Sequence, residues 1–461
     1  MIPESFFQAP LRSATAQLKH VPRGIVRGRL RRVTGLLLEI EGLRQEIGSR
    51  VCVQGSEFDQ WIEAECVGFT DEVSFCMAFD PVVGAKPGAS VYPFGAPFFD
   101  GRTYKAFPGS FAVPIGDNLL GRVVDGLGRP LDGRGGAVPT LKNIDLGPAP
   151  NPLRRRFVST PFETGIRAID SVLTLGRGQR VGIFSGSGVG KSVLIAMLCK
   201  YCIADVIVIA LVGERSREIR EFYEHTLSEE ARGRSVLVTA PADTSPLARA
   251  RGAEYAAEVA RHFREQGKNV VLIVDSLTRY AIAWREIALS MGEPPVTRGY
   301  PPSVFARLST LVEQAGNGEN ESGSITALYS VLLDSEDSVD PIADAARGVL
   351  DGHLFLSRLL ANSGHYPAID IERSVSRVMP SVVTAEHFEL AASVRRIVSK
   401  YFQSRDLLSM GAYVQGVDRE LDTALRLWPS IEKYLRQGLK EKYTLTESIK
   451  TLRDIMGHDV R

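Results

Sequence analysis

The sequence predicts an α/β protein whose core is a mostly parallel sheet, with a small β-barrel before it and a helical domain after it. Three patterns lead to this prediction. Strand-like and helix-like segments alternate from about residue 98 to 380, shorter β-rich pieces separated by Gly and Pro precede them, and no strand pattern follows Pro380. The predicted organisation is an N-terminal segment at residues 1–20, a barrel at 21–97, the α/β domain at 98–380 and the helical domain at 381–461.

The N-terminal segment carries a short apolar stripe that an amphipathic helix would place on one face. Pro10 interrupts this stripe, whose members are Phe6, Phe7, Leu11, Ala14 and Leu18. A stripe this short cannot bury itself, so the segment either docks on a partner or forms a tail without fixed structure. The residues alone leave both possibilities open.

The barrel is predicted from short strand-like runs, such as residues 35–40 and 64–69. A cluster of arginines lies near its start: Arg23, Arg27, Arg29, Arg31 and Arg32. A basic barrel ahead of an α/β domain would also suit an RNA-translocating protein, which would stack bases on aromatic side chains. No aromatic residue occurs between Val21 and Arg50, so the cluster favours a solvated strand or one that faces an anionic surface.

The α/β domain is predicted from apolar runs that alternate with helical or loop sequence. These runs are residues 206–212, 235–239, 270–274 and 324–333. Continuous apolar runs of this length are typical of strands buried on both faces of a parallel sheet. The sequence after Pro380, from Ala385 to Arg461, is rich in Arg, Lys and Glu and predicts helices.

Composition excludes several classes of protein. A net charge of +1 over 461 residues argues against a dedicated polyanion binder, and five cysteines give no disulfide framework, which fits a reducing compartment. Cys199 and Cys202 are spaced C-x-x-C, but no second pair of ligands accompanies them, so we expect buried packing. The sequence has no signal peptide and no apolar run of membrane-spanning length, so the expected location is cytosolic or peripheral.

The most informative motif is a phosphate-binding loop between a strand-like run and a helix-like stretch. It consists of Ser185, Gly186, Ser187, Gly188, Val189, Gly190, Lys191 and Ser192, with Val193 following. Closely spaced glycines let backbone N–H groups converge on phosphate oxygens at a helix N-terminus. Lys191 would reach the β- and γ-phosphates, and the Ser192 hydroxyl would ligate Mg²⁺. Ser185 replaces the first glycine of the pattern, and its small side chain should preserve the loop.

Two other predicted strands end in residues that suit nucleotide hydrolysis. Asp275 ends an apolar strand and would lie beside the loop, where it can hold the Mg²⁺ shell. Glu214 and Arg215 follow another strand, so Glu214 is predicted to be the general base, and Arg215 to brace it or the γ-phosphate. The structural alternative makes Glu214 only the N-terminal charge of a helix at residues 216–225.

Taken together, these motifs resemble the hexameric ATPases of type III protein export, which are relatives of the catalytic subunit of rotary ATP synthases. Besides the loop, the matching segments are GERSRE at residues 213–218, DSLTRY at 275–280, GEPP at 292–295, GYPPSVF at 299–305, LGRVVDGLGRPLDG at 120–133 and YPAID at 366–370. The resemblance covers about residues 20–450 and implies a RecA-like fold for the α/β core. Residues 39–43, Phe69 and Met77 look more like the flagellar branch than the virulence-injectisome branch.

The resemblance implies roles for single residues. Glu214 matches the family's catalytic glutamate, and Tyr366 matches the aromatic residue that stacks on adenine. Arg377 matches the arginine finger that reaches the γ-phosphate of the neighbouring subunit, which would couple hydrolysis to assembly. The implied cofactors are ATP and Mg²⁺.

The resemblance also implies function and partners. The implied function is ATP hydrolysis that drives or regulates export of flagellar proteins. Implied partners are the other copies of a homo-hexamer, a stalk-like regulator at residues 1–20, a central-stalk protein, export substrates and chaperones at the C-terminal domain, and a membrane export gate. Residues 333–351 resemble the loop that faces the hexamer's central channel. The expected location is the cytoplasm and the cytoplasmic face of the inner-membrane export apparatus, with no nucleic-acid partner.

Three other functions remain as alternatives. A virulence type III secretion ATPase would share the whole motif set, and an ATP synthase catalytic subunit would need partner subunits and a non-catalytic paralogue. An RNA-translocating hexameric motor is the most remote alternative, because its ATPase activity would respond to polynucleotide.

Overall fold

The structure is a computed structural model that describes residues 26–57, 60–99, 104–106, 112–135, 141–143, 150–319, 323–333 and 340–457. The predicted N-terminal segment at residues 1–20, Arg23 and part of the predicted channel loop lie outside these ranges. The described residues divide into two compact units, one of which holds a barrel while the other holds a larger sheet and its helices. Within these ranges no helix has both the length and the apolar character that a membrane span requires.

The first unit contains a closed barrel, as the short β-rich runs predict. Its strands are β1 Gly28–Thr34, β2 Leu37–Glu41, β3 Arg50–Gln54, β4 Trp61–Phe69, β5 Val73–Ala78 and β6 Ser90–Pro93. They follow one another around the barrel in the order β1-β2-β5-β4-β3-β6. Leu38, Ile40 and Val51 are fully buried inside it. Gly35 turns the chain between β1 and β2 at a φ of 63°, so β2 begins at Leu37 and not at residue 35.

The basic cluster lies on the outside of this barrel. Arg29, Arg31 and Arg32 are exposed on β1, and Arg27 is exposed just before it. Arg32 pairs with Glu39 on β2 at 3.6 Å. The described arginines are therefore exposed, which agrees with both expectations, a solvated strand and one that faces an anionic surface.

The second unit is built on a sheet that is parallel except at β18 and β21. Its strands are β10 Val123–Asp125, β14 Arg180–Ser185, β15 Val206–Val212, β16 Ser235–Ala240, β17 Asn269–Asp275, β18 Gly316–Asn317, β19 Ser324–Leu332, β20 Gly352–Leu356 and β21 Ile369–Ser376. The order is β10-β16-β15-β17-β19-β14-β20-β21, with β18 paired to β19. Every residue of β15 is buried, because both faces of the sheet are covered. The predicted apolar runs match β15 to β17 and β19 within one or two residues.

Several short strands lie outside the barrel and the central sheet. They pair as β7 Pro97–Phe99 with β8 Tyr104–Ala106, β9 Ala112–Pro114 with β11 Leu141–Asn143, and β12 Pro161–Phe162 with β13 Leu175–Gly176. The predicted boundary between residues 97 and 98 falls inside β7. The domain limits drawn from the sequence stay predictions.

Helices follow most strands of the central sheet, as the alternating pattern predicts. They are Arg167–Val172, Lys191–Tyr201, Ser216–Glu221, Glu229–Gly233, Pro246–Glu265, Leu277–Ser290, Pro302–Glu313, Pro341–Val349, Arg358–Asn362 and Met379–Val382, with a 3₁₀ turn at Asp117–Leu119. The helix expected at residues 216–225 is α-helical only to Glu221 and continues as a π-helix over Phe222–Thr226. Such π segments are rare and are frequent at functional sites.

The C-terminal region is helical, as predicted. Its helices are Ala385–Gln403, Arg405–Ser409, Arg419–Leu435 and Leu445–Gly457. Thr384 and Asp418 cap two of them by accepting backbone N–H groups of the first turn. The aromatic rings of Tyr401 and Trp428 stack at 4.5 Å between centroids and join the first helix of this region to the third.

Candidate nucleotide site

Three charged side chains meet at the carboxyl edge of the central sheet. β14 leads into the phosphate-binding loop, β17 ends at Asp275, and β15 ends two residues before Glu214. Because these strands are parallel members of one sheet, their carboxyl ends lie on one edge. Lys191 Nζ lies 2.5 Å from Asp275 Oδ1 and 3.2 Å from Glu214 Oε1. The structure therefore brings together the residues predicted to bind phosphate, hold the metal shell and activate water.

Burial and neighbouring charges set the protonation of this triad. Burial opposes the charge on Lys191, but Asp275 and Glu214 outweigh it and raise the pKa of the ammonium group. Burial is the largest influence on Glu214, and together with Asp275 and Glu218 it raises the pKa of that carboxyl against the opposing effect of Lys191. Lys191 is thus firmly cationic, whereas Glu214 holds a proton more readily than an ordinary glutamate does.

Asp275 is fixed from a second direction. Ser330 on the neighbouring strand β19 donates a hydrogen bond to Asp275 Oδ1 at 2.5 Å. Thr278, in the helix after β17, accepts a hydrogen bond from the backbone N–H of Leu332 at 2.9 Å. The hydrogen bond from Ser330 holds the Asp275 carboxylate in one orientation, which a metal-binding or phosphate-facing group requires.

The phosphate-binding loop accommodates serine at its first position. Ser185 is the last residue of β14 and is paired in register with Leu332 on β19 and Leu356 on β20. Among the described non-glycine residues only Arg298 has a positive φ, so Ser185 bears no such strain. Gly188 and Gly190 supply the left-handed backbone, at φ values of 75° and 95°. The prediction that a small residue preserves the loop agrees with this geometry.

A cavity of about 480 Å³ lies beside the triad. Its lining includes Ser192 and Val193 from the start of the helix Lys191–Tyr201, as well as Glu214, Asp275 and Leu439. Cavities of several hundred Å³ that combine apolar walls with a few convergent charges are typical of small-molecule sites. The cavity therefore extends the charged triad into a space of nucleotide size.

Tyr366 lies against the end of the loop. A Cβ atom added to Gly190 would lie 3.1 Å from Tyr366 Cε1, and 41% of the tyrosine is exposed. The backbone N–H of Gln437 donates to the carbonyl of Tyr366 at 2.9 Å, which ties Tyr366 to the segment that carries Leu439. Leu439 is 55% exposed. An exposed ring and an exposed leucine beside a phosphate-binding loop offer apolar surface to a flat base.

The two predicted catalytic arginines lie away from the triad. The Arg215 side chain is 78% exposed and pairs with Glu218 at 3.5 Å instead of bracing Glu214 directly. Arg377 is exposed and donates to the carbonyls of Leu350 and Arg347 at 3.2 and 3.3 Å. Neither arginine is part of the cavity wall. Their predicted roles in hydrolysis stay predictions.

The structure adds residues that the sequence analysis missed. Glu218 lines the cavity and helps to raise the pKa of Glu214. Arg279 lies against Gly213, where an added Cβ would come within 2.9 Å of its Cβ, and its buried Nε has no hydrogen-bond partner among the described residues. Each follows a predicted functional residue, Glu214 or Asp275, by four positions, which is one helical turn after a strand end. That spacing is the signal that could have found them.

The described residues contain no cluster of three or more His, Cys, Asp or Glu side chains able to hold a metal ion. Cys199 and Cys202 are free and buried, as predicted from the absence of further ligands. Burial raises the pKa of the Cys202 thiol to about 11, so it stays protonated and apolar in character.

Comparison with known proteins agrees with this geometry. Residues 165–376 match the ATP synthase alpha/beta family nucleotide-binding domain, and residues 383–454 match the T3SS EscN ATPase C-terminal domain. The flagellum-specific ATP synthase of Pseudomonas aeruginosa is 51% identical over 94% of both chains. That of Salmonella typhimurium is 49% identical over 92% of both chains.

Solved structures give the same assignment. The assembled ATPase EscN from the enteropathogenic E. coli type III secretion system matches with a TM-score of 0.84 and 38% identity, over 93% of this chain and 99% of EscN. Assembled EscN in complex with its central stalk EscO matches with a TM-score of 0.82, 38% identity and the same coverage. Curated relatives and solved structures thus match nearly the whole chain, and the family models match the part from residue 165 to residue 454. The chain therefore belongs to the ATPases of type III protein export, on the branch of the flagellum-specific ATP synthases.

Proposed function

We propose that this chain hydrolyses ATP in the cavity beside the triad and that hydrolysis drives or regulates the export of flagellar proteins. The convergence of Lys191, Glu214 and Asp275 at the mouth of the phosphate-binding loop carries the proposal. In the nucleotide complex the γ-phosphate replaces the two carboxylates as the partner of the Lys191 ammonium group, because all three anions compete for the same cation.

The loop, the cavity wall and the neighbouring Tyr366 ring provide contacts for the rest of the nucleotide. Backbone N–H groups of residues 186–191 hold the phosphates, and Gly188 and Gly190 permit the backbone conformation that this requires. The base lies between the Tyr366 ring and the apolar side chains of Val193 and Leu439. The exposed fractions of Tyr366 and Leu439, 41% and 55%, are surface that a bound base would cover.

The donor set fits a Mg²⁺ ion bound with ATP. A serine hydroxyl and a carboxylate are hard oxygen ligands of the kind that Mg²⁺ prefers, and Ser192 and Asp275 line the same cavity. Bound there, Mg²⁺ would offset the charge on the β- and γ-phosphates. Ser330 keeps the Asp275 carboxylate in place for this role.

Glu214 serves as the base of the reaction. Its carboxylate orients the attacking water and accepts its proton, and its raised pKa makes it a stronger base than an ordinary glutamate. Lys191 balances the charge that develops on the phosphates. Arg215 acts through Glu218, which it pairs with, and so bears on Glu214 only indirectly.

Arg377 completes the site of a neighbouring subunit. Its guanidinium is exposed and held by backbone carbonyls, and no carboxylate pairs with it in the part of the chain that the structure describes. An exposed guanidinium with no carboxylate partner among the described residues can bind phosphate on another chain. An arginine supplied in this way raises the rate of related reactions by about 10³–10⁵. The working form is therefore a homo-hexamer with a site at each interface.

Family membership supports the proposed partners. The proposal includes a central-stalk protein, a stalk-like regulator at residues 1–20, export substrates with their chaperones at the C-terminal helices, and an export gate. The ATPase works in the cytoplasm, peripheral to the cytoplasmic face of the inner membrane. The structure of EscN in complex with its central stalk EscO supports the stalk partner by analogy.

A mixing experiment tests the shared site. Lys191→Ala and Arg377→Ala should each have little ATPase activity, whereas an equimolar mixture should regain about a quarter of the wild-type rate, because only mixed interfaces combine both intact residues. Arg396→Ala is a matched control, since Arg396 is exposed on the helix Ala385–Gln403 and, among the described residues, its side chain hydrogen-bonds only to Ser393. Mixtures as inactive as their components would contradict an interface site.

A second experiment tests the export function. In a bacterium whose own flagellum-specific ATP synthase is deleted, the wild-type chain should restore secretion of flagellar proteins and Glu214→Gln should not. Single-stranded RNA is added to the purified ATPase in parallel. Failure to restore secretion together with a rate that rises with RNA would favour a nucleic-acid motor.

A further inference from the structure

The phosphate-binding loop has a neighbour that none of the motifs indicates. β14 and β20 run parallel in register, with Ser185 opposite Leu356. Both strands end at these partners, and Ser187 and Arg358 follow two residues later. Parallel strands in register deliver equivalent positions side by side at the same edge, so Arg358 emerges next to the loop.

The contact is made through the backbone of the loop. Arg358 Nη2 donates to the carbonyl oxygen of Ser187 at 3.2 Å, and it lies 3.3 Å from the point where a Cβ of Gly186 would be. Arg358 is the first residue of the helix Arg358–Asn362, so its backbone is anchored while the side chain reaches across. The guanidinium therefore binds the backbone of the first half of the loop, at Gly186 and Ser187.

Holding a carbonyl also orients the next N–H group. In a trans peptide the C=O and the N–H point in opposite directions. A cation on the Ser187 carbonyl therefore points the N–H of Gly188 away from the guanidinium, in the opposite direction within the peptide plane. Gly188 has a left-handed backbone at φ 75°, and no described residue beyond its chain neighbours lies within 4 Å of an added Cβ, so there is room for this peptide to turn.

We propose that Arg358 is a positioning residue that fixes the Ser187–Gly188 peptide and so prepares the Gly188 N–H to bind nucleotide phosphate. The inference rests on the proposed function, because it assigns that N–H to the phosphates of ATP. Without the guanidinium, the peptide samples orientations in which the N–H faces away, and each must be reversed when nucleotide binds. The cost falls on phosphate binding alone, since the base contacts Tyr366 and Leu439 at a different part of the site.

The test compares ligands with and without phosphate. Displacement of a fluorescent ADP analogue gives the Kd of ADP and of adenosine for the full chain and for Arg358→Ala, Arg358→Lys, Tyr366→Ala and Arg396→Ala. Arg358→Ala should weaken ADP about three- to tenfold, the range of one exposed charge-assisted hydrogen bond, and leave adenosine within twofold. Tyr366→Ala should weaken both ligands, and Arg396→Ala neither.

Two further readouts separate positioning from a general loss of structure. Arg358→Lys should recover most of the ADP affinity, because an ammonium group also donates to a carbonyl. In steady-state kinetics Arg358→Ala should raise KM with kcat within about twofold, the pattern of an interaction made equally in ground and transition states.

Three results would overturn the inference: unchanged ADP affinity in Arg358→Ala, an equal loss for adenosine, or no recovery with lysine. The proposed function is judged separately by Lys191→Ala. If Lys191→Ala loses ADP while Arg358→Ala retains it, the nucleotide site stands and only the role of Arg358 fails.

Discussion

The contact between Tyr366 and Gly190 gives a prediction that the structure makes quantitative. Replacing Gly190 by alanine places a Cβ 3.1 Å from Tyr366 Cε1 and 3.4 Å from Cδ1. Carbon atoms attract at about 3.5–4.0 Å, so the ring must move or the loop must shift. The residue also has a φ of 95°, which side chains rarely adopt.

Gly188→Ala is a matched control for this substitution. Gly188 also has a positive φ, 75°, but an added Cβ meets no atom within 4 Å. Both substitutions should therefore carry a backbone strain of about 1–2 kcal/mol. Only Gly190→Ala should carry a further ~1 kcal/mol from overpacking against the ring.

The assay is thermal unfolding of the protein without nucleotide, so that no ligand contributes. Relative to Gly188→Ala, Gly190→Ala should lower Tm by a further ~2 °C, the usual scale for one kcal/mol in a domain of this size. In a Tyr366→Ala background the two glycine variants should have the same Tm, because the ring is gone.

Equal Tm values for Gly188→Ala and Gly190→Ala in the wild-type background would refute the reasoning. So would a difference that persists after Tyr366 is removed. The expected pattern would show that the tyrosine rests on the loop before any base arrives, so that the base-binding wall is preformed.

Three further predictions concern single side chains. Glu218→Gln should move the acid limb of the pH–rate profile to lower pH. The reason is that Glu218 helps to raise the pKa of Glu214, and activity is lost as the pH falls through that pKa. An acid limb that stays in place or moves to higher pH would contradict this effect of Glu218. Ser185→Ala should leave the free energy of unfolding unchanged or higher by up to about 1 kcal/mol, because the buried Ser185 hydroxyl has no partner among the described residues. Its ADP affinity should also be unchanged, and a loss would mean that the hydroxyl contacts nucleotide. Leu439→Ala should raise the KM for ATP about threefold with little change in Tm, since this leucine is 55% exposed in the absence of ligand. An unchanged KM would remove Leu439 from the base-binding wall.

The sequence by itself determined the parts of this protein whose signals are local. The eight residues of the phosphate-binding loop and their strand-before, helix-after setting are contiguous, so chain pattern alone predicted them. The strands that end near Glu214 and at Asp275 were visible as apolar runs. Because parallel strands end on one edge of a sheet, the sequence predicted that both carboxylates lie close to Lys191. The roles of Tyr366 and Arg377 came only from family resemblance, because an isolated tyrosine or arginine carries no local signal.

Only the tertiary structure decided which neighbours each functional residue has. The turn of the helix after Glu214 places Glu218 on the cavity wall, where it helps to raise the pKa of Glu214, whereas Arg215 lies outside that wall. The sequence pattern could not distinguish the two. The hydrogen bond from Arg358 to Ser187 depends on the register between β14 and β20. The hydrogen bond from Ser330 to Asp275 depends on β19 and β17 being neighbours in the sheet. Strand order and register arise from the packing of the whole sheet between its helices, so no short segment encodes them.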